Sequence, residues 1–177
     1  MHPEELRAQL EALHTESFGW ALACSDVWRA ESVLQQSYLK VLEGRARFEG
    51  RSSFKTWFFG VVRNTAREDR RHAIWRKLRL LPQESADAVV SARRPPEDSL
   101  FESELREQFL RMLNDLPRRQ REVLHLVFYQ EMTLEEAAAA MNVGVGSART
   151  HYERGKKKLR GLLEKEQVVA EAKRARA

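Results

Sequence analysis

Thr133-Leu134-Glu135-Glu136-Ala137-Ala138, then Asn142-Val143-Gly144, then Ser147-Ala148-Arg149-Thr150-His151-Tyr152 is the stretch whose reading decides the fold. The Thr133 hydroxyl and the Glu136 carboxylate, three places apart, can each satisfy an amide at the start of a helix, forming a capping box. Leu134, Ala137, Ala138 and Met141 follow at helical spacing, so the short helix that begins here has an apolar face. Asn142-Val143-Gly144 closes it with a tight connection to a second helix. Along that helix Ala148, Tyr152, Gly155, Leu159 and Leu162 advance by 4, 3, 4 and 3, a packing stripe. Beside it Ser147, His151, Arg154 and Lys158 advance by 4, 3 and 4. A helix, a short turn and a helix make the helix-turn-helix arrangement. Reading DNA needs side chains near the start of the second helix to reach base edges, and cations farther along to hold phosphates. Ser147, Arg149, His151, Arg154 and Lys158 occupy those places.

Outward from this unit the chain stays helical. Leu116-Pro117 opens the preceding helix at its first turn, with Val123, Leu124, Val127 and Phe128 on its inner face. Before it, an amphipathic helix from Glu97 offers Leu100, Leu105, Phe109, Met112 and Leu113 as core. Leu81 to Pro96 carries three prolines and no sustained helical stripe, which reads as a flexible linker. Toward the amino terminus one helix is expected from about Pro3 to about Cys24, and Asp26 can cap the next. That next helix places Val27, Ala30, Leu34, Tyr38 and Val41 on one face, with Arg29, Ser32, Gln36 and Glu43 elsewhere. Ser52 or Ser53 starts a third helix through Arg71. The expected fold is all-α. Two small helical domains, residues 1–80 and 97–165, are joined by the linker at 81–96 and followed by a charged tail at 166–177.

Composition narrows the function. Hydrophobic residues at 42% and charged residues at 32% suit a folded domain. No apolar run approaches the roughly 20 residues of a transmembrane helix, and the acidic start lacks a signal-peptide pattern. A cytoplasmic location without membrane insertion is expected. A lone Cys24 and five histidines without ligand spacing point to no metal site and no cofactor. There is no glycine-rich phosphate loop and no nucleophile elbow, so no enzymatic activity is expected. Glu68-Asp69 reads as surface charge, and Glu135-Glu136 as support for a helix start.

The net charge of +5 favours a polyanionic partner. It is concentrated in two segments, Arg63, Arg67, Arg70, Arg71, Arg76, Lys77 and Arg79 in one, and Arg149 through Arg154, Lys156, Lys157, Lys158 and Arg160 to Lys165 in the other. Two nucleic-acid contacts are the simplest reading. Just before the first lies Phe54-Lys55-Thr56-Trp57-Phe58-Phe59. Successive helical positions cannot all face inward, so some of Trp57, Phe58 and Phe59 are expected at the surface, able to stack on unpaired bases.

These blocks resemble the extracytoplasmic-function sigma factors of bacterial RNA polymerase, over about Phe18 to Leu163. In the first domain the resemblance rests on Ala30 to Val41, on Phe48-Glu49-Gly50-Arg51-Ser52-Ser53-Phe54-Lys55-Thr56-Trp57-Phe58, and on Val62-Arg63-Asn64. In the second it rests on Leu116 to Leu124, on Met132-Thr133-Leu134-Glu135-Glu136-Ala137-Ala138, and on Val145 to Arg154. The domains then correspond to sigma region 2 and sigma region 4. The resemblance implies a protein that binds core RNA polymerase and directs promoter-specific initiation. It implies polymerase contacts at Glu31, Leu34, Gln35 and Tyr38. It implies that Phe54, Lys55, Trp57, Asn64, Arg67, Arg70 and Arg71 hold the −10 element, and that the last helix reads the −35 element.

This chain departs from the family's pattern in the helix that meets polymerase. The usual Asp-Ala-Glu-Asp run and following Gln-Glu are here Arg29-Ala30-Glu31-Ser32 and Gln35-Gln36. Phosphorylation adds roughly −1.5 to −2 charge and can restore lost acidity. Ser32, at the place of a missing aspartate, is the first candidate, followed by Ser37, Ser25 and Thr56. A serine/threonine kinase or an anti-sigma factor is the corresponding additional partner. The competing class is a helix-turn-helix regulator that binds DNA without engaging polymerase.

Overall fold

The structure, a computed structural model, describes residues 2–79, 112–113 and 115–174, with side chains placed for 2–76, 112–113 and 115–165. Among them the regular elements are all helical: α1 (Pro3–Ala12), α2 (His14–Cys24), α3 (Ala30–Leu42), α4 (Phe54–Arg79), α5 (Arg118–Leu124), α6 (Leu134–Ala140) and α7 (Val145–Arg174). The linker expected at 81–96 and the start of the helix expected from Glu97 lie outside the described residues. Met112 and Leu113 are buried, as their spacing requires. Helix α7 runs on to Arg174, through most of the stretch set apart as a tail.

Local chemistry accounts for several helix ends. Thr133 Oγ1 accepts from the Glu136 amide at 3.2 Å, and Glu136 Oε2 accepts from the Thr133 amide at 2.9 Å, completing the capping box. At the far end of α6 the Asn142 amide donates to Ala139 O and the Val143 amide to Ala138 O, both at 3.0 Å. This Schellman turn needs a left-handed residue, and Asn142 supplies it at φ 48°. Ser53 starts α4, its Oγ accepting from the Thr56 amide at 3.2 Å.

Three expectations are corrected. The helix expected over residues 3–24 bends at Leu13 into α1 and α2, although the Ser17 amide still reaches Leu13 O at 2.9 Å. Asp26 makes no side-chain cap. It precedes a 3-10 turn at Val27–Arg29, which delays α3 to Ala30 and leaves Val27 65% exposed. Phe128 is exposed rather than inward. After α5 the backbone widens into a π-turn over His125–Tyr129, with the Gln130 amide donating to His125 O. The extra residue per turn rotates the register, so His125 and Leu126 take the buried places.

One core crosses both domains. Trp20, Ala21, Val33, Leu34, Phe58, Phe59 and Val62 of the first pack with Val123, Leu126, Ala137, Ala140 and Met141 of the second. A smaller core, Met112, Leu113, Leu116, Leu124 and Leu159, belongs to the second alone. Helices α5 and α7 approach closely at Gly155, where a Cβ would stand 3.0 Å from Leu124 Cδ1 and 3.2 Å from Gln120 Cβ. Leu124 is fully buried and cannot swing aside. Overpacking of about 1–3 kcal/mol then outweighs the helix-propensity gain of about 1 kcal/mol. Gly155→Ala is therefore expected to lower stability by about 1 kcal/mol. Gly161→Ala, in the same helix with open space around it, should raise it by up to about 1 kcal/mol. Urea midpoints of the two variants check the contrast, which fails if both move the same way.

Candidate functional site

Helix α4 carries the first basic segment, and its periodicity sorts the residues. Trp57, Asn64 and Arg71 recur every seven places, nearly two turns, so they fall in line along about 21 Å of the helix. Asn64, Arg67 and Arg71 are exposed, and Trp57 and Phe54 half-buried, along this side of the helix. Phe48, from the preceding loop, packs against Phe54 and Trp57 with ring centroids 5.4 and 5.3 Å away, and the three make an aromatic wall. Phe58 and Phe59 are fully buried. Of the aromatic run, only the half-buried Phe54 and Trp57 reach the surface.

Lys55 and Arg70 turn the other way. Lys55 Nζ pairs with Glu16 Oε2 at 2.6 Å and donates to Gln130 O at 3.2 Å. Arg70 Nη2 donates to Cys24 O at 3.4 Å and Ala66 O at 3.3 Å. Arg63, counted in the basic segment, is 1% exposed, with its Nε donating to Glu122 Oε2 at 2.9 Å. Its charge is spent inside the fold.

On α3, Glu31, Ser32, Gln35 and Gln36 are exposed and make an outer face. Leu34 is 2% exposed and packs inward. Tyr38 lies half-buried between the two, stacked on Phe58 at 5.5 Å, its hydroxyl 3.0 Å from His14 Nδ1. Burial pushes the Tyr38 phenol up to about 12, so it stays protonated. Glu68 and Asp69 are not free surface charge. Asp69 Oδ2 pairs with Arg29 Nη1 at 2.6 Å and Glu68 Oε2 with Lys40 Nζ at 2.5 Å. The arginine standing where a family acid is expected is thus neutralised by α4. The four serine and threonine candidates separate by burial. Ser32 is exposed, with its Oγ accepting from Gln36 Nε2 at 3.3 Å. Ser37 and Thr56 are buried, and Ser25 is half-buried with its Oγ donating to Ala21 O at 2.7 Å.

Along α7, Ala148, Gly155 and Leu159 are buried and Tyr152 and Leu162 half-buried, so the packing stripe faces α5 and α6. Ser147, Arg149, Arg154 and Lys158 are exposed together on the outer side. His151 is half-buried, and burial with the nearby Arg119 and Arg154 holds it below its ordinary value. At neutral pH its imidazole is therefore uncharged, able both to donate and to accept at a base edge. Three cations and two polar side chains with a small-residue face behind them suit a groove of DNA.

Residues 17–76 match Sigma-70 region 2, and residues 106–159 match Sigma-70, region 4. The ECF RNA polymerase sigma factor EcfG of Rhodopseudomonas palustris is 30% identical over 135 residues, 76% of this chain and 71% of that protein. The chain belongs to the extracytoplasmic-function sigma factors. The RNA polymerase sigma factor CarQ of Myxococcus xanthus is 32% identical over 141 residues, 76% of this sigma factor and 74% of that one. Among solved structures, the sigma factor RpoE of Bartonella quintana, in complex with the anti-sigma factor NepR, gives a TM-score of 0.66 at 21% identity, covering 91% of this chain and 98% of that one. CnrH, in complex with the cytosolic domain of CnrY, gives 0.59 at 21% identity. At that identity both speak to the fold, which they share. As a sigma factor, this chain directs promoter-specific transcription.

The residues that sequence reading missed are Phe48, Arg63, Glu68, Asp69, Arg118 and Glu122. The last two join Arg63 in a buried cluster, where Arg118 Nε donates to Glu122 Oε1 at 2.7 Å. Partners 40 and 59 positions apart leave no local pattern. Among the described residues no cluster of ligating side chains could hold a metal, and no helix is long and apolar enough to cross a membrane.

Proposed function

We propose that this sigma factor, cytoplasmic and without enzymatic activity, joins core RNA polymerase through the outer face of α3. Glu31 and Gln35 are the contacts, Tyr38 the rim, and Leu34 the packing behind them. In the same reading Phe54, Trp57, Asn64, Arg67 and Arg71 take the −10 element. Lys55 and Arg70 join them once released from their present partners. Ser147, Arg149, His151, Arg154 and Lys158 read the −35 element. The reading is carried by the alignment of Trp57, Asn64 and Arg71 on one exposed side of α4. An aromatic wall, an amide and a guanidinium in sequence suit a strand with one base turned out of the stack. A DNA-binding regulator that ignores polymerase has no use for such a surface. The domain limits proposed are 1–80 and 97–165.

Acidity missing from α3 is supplied in this reading by phosphorylation at Ser32. Ser32 is the third residue of α3, where the helix dipole favours negative charge, and it is exposed. An anti-sigma factor, as bound by the Bartonella quintana relative, is a further partner class.

A pull-down of the full chain with core polymerase, followed by transcription from candidate promoters, tests the assignment. Duplex binding without polymerase retention would favour the regulator. Asn64→Ala offers the cleanest residue-level probe, because the side chain is exposed and its loss leaves the core intact. With polymerase present, permanganate reactivity of −10 thymines is expected to fall about five- to 150-fold, the equivalent of a lost base contact of about 1–3 kcal/mol. Duplex association should hardly change. Wild-type melting would remove Asn64 from strand capture.

A further inference from the structure

The seam between the two domains is built differently from either core. Its apolar part is continuous with the shared core, but a polar cluster is set into it. One carboxylate, Glu122, serves two guanidiniums directly, Arg63 at 2.9 Å and Arg118 at 2.7 Å. A third, Arg119, has its Nη1 at 4.0 Å from Glu122 Oε2, beyond hydrogen-bond reach. Arg63 is 1% exposed and Glu122 fully buried, and Arg63 Nη1 has no partner. Arg118 Nη2 crosses to Cys24 O at 2.9 Å. At the edge, Gln130 Nε2 reaches Glu16 O at 3.2 Å, and Gln130 Oε1 and Ser17 Oγ are buried without partners.

A buried ion pair adds little net stability over apolar packing, yet losing one member strands a charge. An interface of that composition is held while the pair is complete and weakened sharply when it is not. Incomplete satisfaction points the same way, because buried polar atoms without partners recover hydrogen bonds when the seam parts.

The seam also limits what the modules can reach. At Gly60 on α4 a Cβ would lie 3.7 Å from Ala140 O on α6. Asn64 is one helical turn from that contact, and Arg149 is nine residues along the chain from Ala140, so their separation cannot exceed about 40 Å. Elements centred at −10 and −35 are, at 3.4 Å per base pair, about 85 Å apart. Lys55, needed at the first element, is held in the seam by Glu16 and Gln130.

We propose that the Arg63–Glu122–Arg118 cluster is a latch holding the two DNA-reading modules in a closed state that cannot span a promoter. Parting of Arg63 from Glu122 breaks, with it, the cross-seam bonds of Lys55 to Gln130 O and of Arg118 to Cys24 O, leaving each with its partner in its own module, and frees the modules to separate. The purpose of the latch rests on the promoter-binding reading above; its existence does not.

Dyes or spin labels at Glu11→Cys and Arg160→Cys, exposed positions on α1 and α7, report the separation in the free full-length chain. Cys24 is 1% exposed and stays unlabelled. The otherwise unaltered chain is expected to give one short distance. Glu122→Gln should raise the long-distance population at least tenfold, with helical circular dichroism retained. Adding Arg63→Met to it removes the stranded charge and should restore the short distance. Arg118→Ala, which strands no buried cation, should open the chain several-fold. An unchanged short distance in both Glu122→Gln and Arg118→Ala overturns the latch. So does loss of helix in Glu122→Gln without any lengthening in Arg118→Ala, which would make the cluster a fold determinant. Neither readout uses polymerase or promoter. Opening on Glu122→Gln in a chain that initiates no transcription would leave the latch standing and the promoter reading fallen.

Discussion

Trp20→Ala is expected to lower the stability of the chain by about 3–5 kcal/mol, the range for truncating a buried aromatic. The ring has no exposure, its Nε1 donates to Phe59 O at 2.9 Å, and it stacks on Phe59 at 5.9 Å and lies 5.6 Å from His125. Phe59 belongs to α4 and His125 to the second domain, so one side chain ties three parts of the shared core. Total stabilities of about 5–15 kcal/mol make such a loss about a fifth of the whole or more. Trp20→Phe should cost much less, keeping most of the apolar contact while losing the indole donor. Urea unfolding followed by circular dichroism gives both values. A loss below about 1 kcal/mol for the alanine variant would mean that the two domains are stabilised separately and that the common core is incidental.

A second large effect separates the candidate phosphorylation sites. Ser37→Asp places a carboxylate at a position with no exposure, where the hydroxyl now donates to Val33 O at 2.7 Å. Thr56→Glu does the same beside Ser53, whose Oγ is 2.8 Å from Thr56 Oγ1. Each is expected to cost several kcal/mol, because an unpaired buried charge must be desolvated. Ser32→Asp, in the first turn of α3 and exposed, should instead gain about 0.3–1 kcal/mol from the helix dipole. It should also raise affinity for core polymerase, whereas Ser32→Ala should not. Phosphate found by mass spectrometry on Ser37 or Thr56 of folded protein, or indifference of polymerase affinity to Ser32→Asp, would refute this ordering.

How much of this was legible beforehand follows from the range of each interaction. Thr133 and Glu136 are three residues apart, and the capping box they form was readable as written. The α7 stripe from Ala148 to Leu162 was equally local, and the burial of Ala148, Gly155 and Leu159 agrees with it. Phe128 was misplaced because spacing of three and four presumes a uniform helix, and the π-turn breaks that uniformity after Leu124. Ser37 could not be told from Ser32 by composition, but spacing separates them: Ser37 stands three places after Leu34 and four before Val41, beside the apolar face from which Ser32 is excluded, and it is buried. Arg63 looked like one more cation in a basic run. Its counter-ion lies 59 residues away in the other domain, and nothing near it in the chain announces that it is interior.

The pairing of α3 with α4 has a consequence for encounter kinetics. With Arg29 held by Asp69 and Lys40 by Glu68, cations and anions of the two helices cancel within a few ångströms. Such a surface projects little field beyond a Debye length of about 8 Å at physiological ionic strength. A strongly acidic helix gathers its partner from a distance, and its association slows steeply as salt rises. If polymerase is met at Glu31, Gln35 and Tyr38, as proposed, capture falls to short-range fit there, and the rate of complex formation is expected to be nearly indifferent to salt until a phosphate is added. Modification of Ser32 would then act on how often productive collisions occur, as well as on how long they last.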